Sequence, residues 1–328
     1  MTSFKALYSE KAPQGVKTTL RTLQLTDLPD GEVLIRSKFS SINYKDALGV
    51  TGKGKIFRQL PMVGGIDVSS EVIESRDRNF SPGDAVLVTG CGLGEESFGG
   101  YSEYVRVPST SVVQLPNGLS PKEAMQLGTA GFTAALSLWR MQQVQQSPAQ
   151  GPILITGASG GVGSFAVQIF SQAGFEVWAL SGRPELHDYL KELGADRCFT
   201  EKELQLGHRP LESVKFGGVI DNVGGELLAK LLPHVQLWGS VASIGLAGGA
   251  NFQTTVMPFI LRGVSLLGVS SNNCTRDTRL EIWKNLSQNW KPSLIESIQN
   301  ETVGLEEVMD RAEKLLNRQL SGRVLVKF

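Results

Sequence analysis

One segment restricts the fold more than any other: Thr156-Gly157-Ala158-Ser159-Gly160-Gly161-Val162-Gly163, lying between a short apolar run, Ile153 to Thr156, and a stretch with helical apolar spacing. Val162, Phe165, Ala166, Ile169, Phe170 and Ala173 share one helical face, and Gly174 is a stop signal for that helix. A glycine-rich turn from a buried strand into a helix is the setting in which free helix N–H groups meet the phosphates of a dinucleotide. The register read here is Ala158-x-Gly160-x-x-Gly163, with alanine in place of the first glycine. Gly160 then lets backbone approach a pyrophosphate and Gly163 lets helix pack on strand. A second register, Gly161-x-Gly163-x-x-Ala166, would bring the pyrophosphate inside the helix. No Gly-Lys-Ser or Gly-Lys-Thr follows, which excludes a P-loop. Ser159, Gly160, Gly161, Val162 and Gly163 are therefore the expected phosphate cradle.

Strand–helix alternation continues from that point. Glu176 to Leu180, Arg197 to Phe199, Val219 to Asp221, Ser240 to Ile244 and Ser265 to Leu267 read as further strands, and Leu186 to Leu193 as a helix closed by Gly194. This pattern predicts a doubly wound parallel sheet. From Phe4 to about Leu115 the texture differs: apolar runs such as Glu32 to Ile35, Val68 to Ile73 and Ala85 to Val88 are separated by Pro29-Asp30-Gly31 and Ser81-Pro82-Gly83-Asp84. An all-β, barrel-like segment is expected there, with the change of texture after Pro121. Helices are expected around Leu305 to Leu316, and Arg323 to Val326 reads as a strand that rejoins the first domain. The boundaries drawn are 1–126 with 296–328 for the barrel domain and 127–295 for the nucleotide domain.

Glycine is enriched, 37 of 328 residues or about 11% against a usual level of roughly 7%, and it clusters at the ends of apolar runs, as tight turns beneath a ligand require. Thirty-two Lys plus Arg balance thirty-two Asp plus Glu, so no global positive field draws the chain to nucleic acid or membrane. The start MTSFKALYSEK has no long apolar region, and Val256 to Val269 is broken by Pro258, Arg262 and two glycines, which argues against secretion and membrane spanning. Cys91, Cys198 and Cys274 lie far apart, without disulfide-scaffold or zinc-lobe spacing, and the cytoplasm is the expected compartment.

About 20 residues beyond the glycine turn, at the tip of the second strand, an acidic residue would select NAD by binding the ribose 2′-hydroxyl. The chain has Ser181-Gly182-Arg183 there. A guanidinium and a hydroxyl suit a 2′-phosphate, so NADPH is the expected cofactor. No Cys, His and carboxylate set has metal-ligand spacing, and His187, His208 and His234 read as surface or packing residues. No G-x-S-x-G elbow occurs, which disfavours hydrolase chemistry and leaves a reduced cofactor as the reagent.

The segments Ser41 to Ala47, Gly65-Ile66-Asp67, Gly128 to Ala134, Thr156 to Gly163, Ser181-Gly182-Arg183 and Thr254 to Arg262 together resemble the zinc-free medium-chain dehydrogenase/reductases, in the acryloyl-CoA reductase branch often labelled quinone oxidoreductase. The resemblance covers essentially the whole chain. It implies an α/β protein with a GroES-like β-barrel catalytic domain and a Rossmann doubly wound parallel-sheet cofactor domain. Zinc-bearing relatives have a cysteine near Asn43-Tyr44 and a Gly-His-Glu near Gly65-Ile66-Asp67, and this sequence has neither. The implied activity is an oxidoreductase one, NADPH-dependent reduction of the carbon–carbon double bond of a small 2-enoyl thioester, acryloyl-CoA to propanoyl-CoA. Hydride goes to the β carbon and a proton to the α carbon. The alternatives are a quinone or alkenal reductase, which would use the same hydride donor, and a catalytically silent NADPH-binding regulatory protein.

The resemblance also implies site residues. Tyr44 lies beside the nicotinamide, with a phenol able to hydrogen-bond the thioester carbonyl or the cofactor. Asp67 matches a family aspartate and either orients Tyr44 or Lys45 or ties down a turn; Asn43 is a substrate-side candidate. Thr129 and Thr133, four apart, share a helical face that the family places by the cofactor. Asn222, Gly245, Leu246 and Ser270 follow strand ends, where doubly wound sheets bind ligands, and are expected around the nicotinamide ribose. Lys45, Lys53, Lys55 and Arg58 face only Asp46 in their loop; Lys53 and Lys55 either receive CoA phosphates or sit on a solvated loop. A homodimer formed by extending the sheet beyond Val264 to Gly268 is the expected assembly.

Overall fold

In the computed structural model, which describes residues 2–328, the chain forms two units. The first holds the residues up to Thr129 together with Ser271–Ser287 and Ile295–Phe328, and the second holds Ala130–Ser270 with Gln288–Leu294.

The first unit is built on β1 (Ser3–Ala12), β2 (Gly15–Gln24), β3 (Val33–Ser41), β4 (Met62–Val63), β5 (Asp67–Ser75), β6 (Ala85–Thr89), β7 (Tyr104–Val107) and β8 (Val113–Gln114). β1 pairs antiparallel with β2 and β4, while β3 pairs antiparallel with β5 and β7, β5 with β6, and β6 with β8. Val33, Ile35, Val68, Val72, Val86 and Val88 are buried together between these strands. Their β-branched side chains lose little freedom on a pleated, covered surface, which is why short valine-rich runs become strands here. The segment is not all-β as expected. Tyr44–Val50 forms α1, capped by Asn43, with Asp46 in its first turn. The start signal was in the sequence, an Asn followed three residues later by an acidic side chain ahead of apolar residues.

The second unit carries β9 (Ile153–Thr156), β10 (Val177–Leu180), β11 (Arg197–Phe199), β12 (Phe216–Asp221), β13 (Val235–Ser243) and β14 (Ser265–Gly268). All pair in parallel in the order β11-β10-β9-β12-β13-β14. Numbered within this sheet the order is 3-2-1-4-5-6, which reverses direction between β9 and β12 and opens a ligand crevice at their carboxyl ends. α2 (Pro121–Gln143) leads into the sheet, and α3 (Gly161–Gln172), between β9 and β10, is the helix expected after the glycine turn. Phe165, Ile169 and Phe170 on α3 are fully buried, each contributing roughly 1.5–3 kcal/mol over an exposed side chain.

β15 (Gln299–Val303) and β16 (Arg323–Lys327) return to the first unit, where β16 pairs antiparallel with β3 by setting Leu325 opposite Ser41 and Val326 opposite Ser40. The expected range 127–295 for the nucleotide domain needs correction, because Ser271–Ser287 belongs with the barrel. Its helix, Arg276–Leu286, sends Arg279 to the Thr89 carbonyl at 2.6 Å and Arg276 to the Thr110 carbonyl at 2.7 Å. Neither contact is visible as spacing in the sequence. The chain passes between the units within α2, one residue after Gly128, where φ 50° and ψ −154° interrupt the helix.

Candidate active site

The backbone of the glycine turn at the end of β9 favours a different register from the expected one. Gly157, at φ +57°, makes the tight turn, so the pattern is Gly157-x-x-Gly160-x-x-Gly163, and Ala158 does not stand in for a glycine. Ala158 is buried, with its N–H on the Leu180 carbonyl at 3.2 Å. A side chain on Gly163 would place its Cβ 2.6 Å from the Ala158 Cα, which fixes the close helix–strand packing. Gly160 caps α3, and a Cβ there would meet only the Gly157 carbonyl, at 3.3 Å. The first-turn N–H groups of Gly161, Val162 and Gly163 have no intrahelical acceptor and point out of the helix start, as an anion requires.

Beside this cradle, Arg183 donates through Nη2 to Ser159 Oγ at 2.9 Å, and the hydroxyls of Ser159 and Ser181 lie 3.2 Å apart. The Arg183 backbone N–H donates to Ser181 Oγ at 3.2 Å. Ser159 and Ser181 are almost fully buried, while Gly182, which follows Ser181, has open space where a side chain would be. A guanidinium and two hydroxyls thus converge at the tip of β10. Tyr189, which the sequence analysis passed over, braces the helix start by donating to Ser164 Oγ at 3.0 Å.

At the sheet's reversal point, Thr156 Oγ1 donates to Asp221 Oδ1 at 2.8 Å and accepts the Asn222 N–H at 2.9 Å. Asn222 Nδ2 donates to the Thr156 carbonyl at 2.8 Å, whereas its Oδ1 is buried with no partner among the described residues. Burial raises the Asp221 carboxyl above its ordinary range, against the hydrogen bonds it accepts. Gly245 is drawn to the same point through its N–H on the Asp221 carbonyl at 3.3 Å. Leu246 and Ser270 are exposed, and no hydrogen bond joins their side chains to this cluster. A buried acceptor without a donor, next to a helix start with donors and no acceptor, fits a dinucleotide.

In the barrel unit the expected site residues divide. Tyr44 is the first residue of α1 and 41% exposed, and no described residue bonds its hydroxyl. Asp67, placed among the catalytic candidates, has no exposed surface. Its Oδ2 accepts from Ser41 Oγ at 2.6 Å, Asn43 Nδ2 at 2.8 Å and the Thr129 N–H at 3.0 Å, and its Oδ1 accepts from Thr129 Oγ1 at 2.6 Å. It makes no direct hydrogen bond to Tyr44 or Lys45. It caps the part of α2 that restarts after Gly128, where a Cβ would lie 2.6 Å from Asp67 Oδ2. Asn43 is corrected likewise: its Nδ2 serves Asp46 and Asp67 and its Oδ1 accepts from Arg323 Nη1 at 2.9 Å, so no polar atom is left for a substrate. Thr129 is committed to Asp67, and Thr133 is buried one turn on.

Arg323 and Asp46 were not foreseen. Buried Arg323 also donates to Ser41 Oγ at 2.6 Å and to the Gln126 carbonyl at 3.1 Å, and lies 3.7 Å from Asp67 Oδ2. Burial, and Asp67 after it, push the Asp46 carboxyl up to about 7. Arg323 lies some 280 residues from Asn43, so no local pattern announces the pair. The positive loop is less positive than expected: Lys45 pairs with Glu95 at 2.8 Å and Lys53 with Glu313, leaving Lys55 and Arg58. His234 is a packing residue, with Nδ1 2.8 Å from the Ser213 carbonyl and Nε2 accepting the Gly207 N–H. Among the described residues no three His, Cys, Asp or Glu side chains are grouped to hold a metal, and no helix is long and apolar enough to cross a membrane.

Two family profiles match the chain: an alcohol dehydrogenase GroES-like domain over residues 29–117 and a zinc-binding dehydrogenase over residues 161–288. With its relatives, they show that the chain belongs to the medium-chain dehydrogenase/reductase family, as a nicotinamide-dependent oxidoreductase. The acrylyl-CoA reductase AcuI of Ruegeria pomeroyi is 41% identical over 326 residues, 98% of each chain. The yhdH oxidoreductase from Salmonella enterica, crystallised in complex with NADP, is 43% identical with a TM-score of 0.95 over 99% of each chain. The Bacillus subtilis protein yhfP, with NAD bound, is 43% identical with a TM-score of 0.97 over 100% of each chain.

Proposed function

We propose that the protein reduces the carbon–carbon double bond of a small 2-enoyl thioester with NADPH, converting acryloyl-CoA to propanoyl-CoA. The observation that carries the cofactor half is the meeting of Arg183, Ser159 and Ser181 beside the N-terminus of α3. The likeness to AcuI supports the substrate half. NADPH, when bound, supplies the hydride that goes to the β carbon of the acceptor. The chain's own residues bind and orient. N–H groups of Gly161, Val162 and Gly163 receive the pyrophosphate, Arg183 with the two serine hydroxyls receives the 2′-phosphate, and Asn222 Oδ1 accepts from a hydroxyl or amide of the cofactor. Tyr44 donates its phenol hydrogen to the thioester carbonyl oxygen, where negative charge grows as hydride arrives.

Chains assemble in this reading as homodimers in the cytoplasm. β14 is the end strand of its sheet, and Leu266 on it, with Ile260 and Leu261 in the preceding helix, is exposed, an apolar edge suited to a second copy. The direct test is NADPH consumption by purified protein with acryloyl-CoA and with a benzoquinone side by side. The account expects turnover of the thioester to exceed that of the quinone. Quinone turnover alone would replace the substrate assignment, and no turnover with either would leave a binding protein. Tyr44→Phe should lower kcat about a hundredfold, and unchanged kcat would remove the phenol from the chemistry.

A further inference from the structure

The buried cluster around Tyr44 is organised about one carboxylate that the proposed chemistry does not use. Asp46 Oδ2 accepts from both the backbone N–H and the Nδ2 of Asn43, each at 3.0 Å, and its Oδ1 accepts the Ile66 N–H at 2.9 Å. These bonds tie the first turn of α1 to its own cap on one side and to the segment entering β5 on the other. Arg323 and Asp67 hold the same Asn43 amide from two further directions. Tyr44 directly follows Asn43, so the backbone that aims its phenol is the backbone these bonds fix.

We propose that Asp46 is the positioning residue for Tyr44: it locks the opening turn of α1 and so sets the direction in which the exposed phenol leaves the barrel unit. The proposal rests on the reading that Tyr44 meets the reacting molecules. Asp46 touches no reacting atom; 2% exposed, it acts through Asn43. The groups facing it are Asp67 on β5, Arg323 on β16, the Asn43 cap and the Tyr101 hydroxyl, which bonds the Ser41 carbonyl at 3.3 Å. With two carboxylates and one guanidinium in this space, Asp46 holds a proton up to about pH 7, and a protonated carboxyl accepts the Asn43 bonds less strongly. The lock therefore tightens as pH rises through neutrality.

The test is a cycle of wild type, Asp46→Asn, Tyr44→Ala and the double variant, with kcat and KM for NADPH-dependent reduction of acryloyl-CoA measured from pH 5.5 to 8.5 and unfolding followed as a control. Asp46→Asn keeps the size of the side chain and sets an N–H against existing donors. The inference expects kcat to fall about tenfold with KM for NADPH unchanged, loss of the wild-type rise in kcat near pH 7, and no further loss when Asp46→Asn is added to Tyr44→Ala. Multiplying losses in the double variant, or unchanged kcat in Asp46→Asn, would overturn it. Tyr44→Ala with wild-type kcat would instead overturn the reading of Tyr44 on which it stands. Should Asp46→Asn not fold, Asp46→Glu in the same cycle gives the same two readings.

Discussion

In the nucleotide-binding unit, Ser159, Ser181 and Arg183 converge as hydroxyls and a guanidinium beside helix N–H groups that lack intrahelical acceptors, and Asn222 Oδ1 is buried with no donor among the described residues. In the barrel unit, the buried Ser41, Asn43, Asp67 and Arg323 and the half-buried Thr129 satisfy one another. Both groups lie in segments that resemble family motifs. The first includes a buried acceptor, Asn222 Oδ1, with no donor among the described residues, whereas the second consumes its capacity to hold α1 and the restart of α2. A polar residue in a motif is thus a ligand contact only where the fold leaves it an unmet bond.

The largest effect that tests this contrast belongs to Arg323. Arg323→Leu leaves the buried Asp67 carboxylate without its cation and should cost about 3–5 kcal/mol of stability in urea unfolding. A loss below about 1 kcal/mol, the scale of an exposed pair, would break the distinction. On the open side, Arg183→Ala should raise KM for NADPH about tenfold to a hundredfold, the worth of a charge-assisted hydrogen bond, while leaving KM for NADH and stability near wild type. Equal effects on the two cofactors would show that Arg183 does not read the 2′-phosphate.

Asp46 sharpens the comparison through pH. A carboxyl at about 7 when folded and 3.8 in the unfolded chain binds its proton more tightly in the folded state. Its stabilising contribution is fully present below about pH 4 and is lost as pH rises to about 7. Wild-type stability relative to Asp46→Asn should therefore fall between pH 5 and pH 8 in paired urea titrations; a constant or growing difference contradicts the buried, proton-holding carboxyl. The smallest effect is expected at the surface. Lys55→Glu should raise KM for acryloyl-CoA roughly two- to fivefold without changing KM for NADPH, and no change would make the loop a solvated one.

The nucleotide half was legible because its determinants are local. The glycine turn, the helical face of α3 and the tip Ser181-Gly182-Arg183 each lie within one strand–helix unit; the first position of the glycine pattern was read at Ala158, one residue past Gly157, whose positive φ makes the turn. The barrel's polar hub was not legible. Asp67 meets Thr129 across 62 positions and Asn43 meets Arg323 across 280, separations at which spacing carries no signal. Asn43 drew notice as a substrate-side candidate and Asp67 as a residue that orients Tyr44 or Lys45 or ties down a turn; the bonds of both are spent inward. The Ser271–Ser287 segment was misassigned for the same reason, since Arg279 binds backbone carbonyls that sequence does not mark.

Calorimetric titration of the purified protein with NADPH and, separately, with NADH asks whether the chain reads the 2′-phosphate of a nicotinamide cofactor. NADPH should bind saturably and at least about tenfold more tightly than NADH. Absence of binding to either, or NADH binding as tightly, would contradict that expectation.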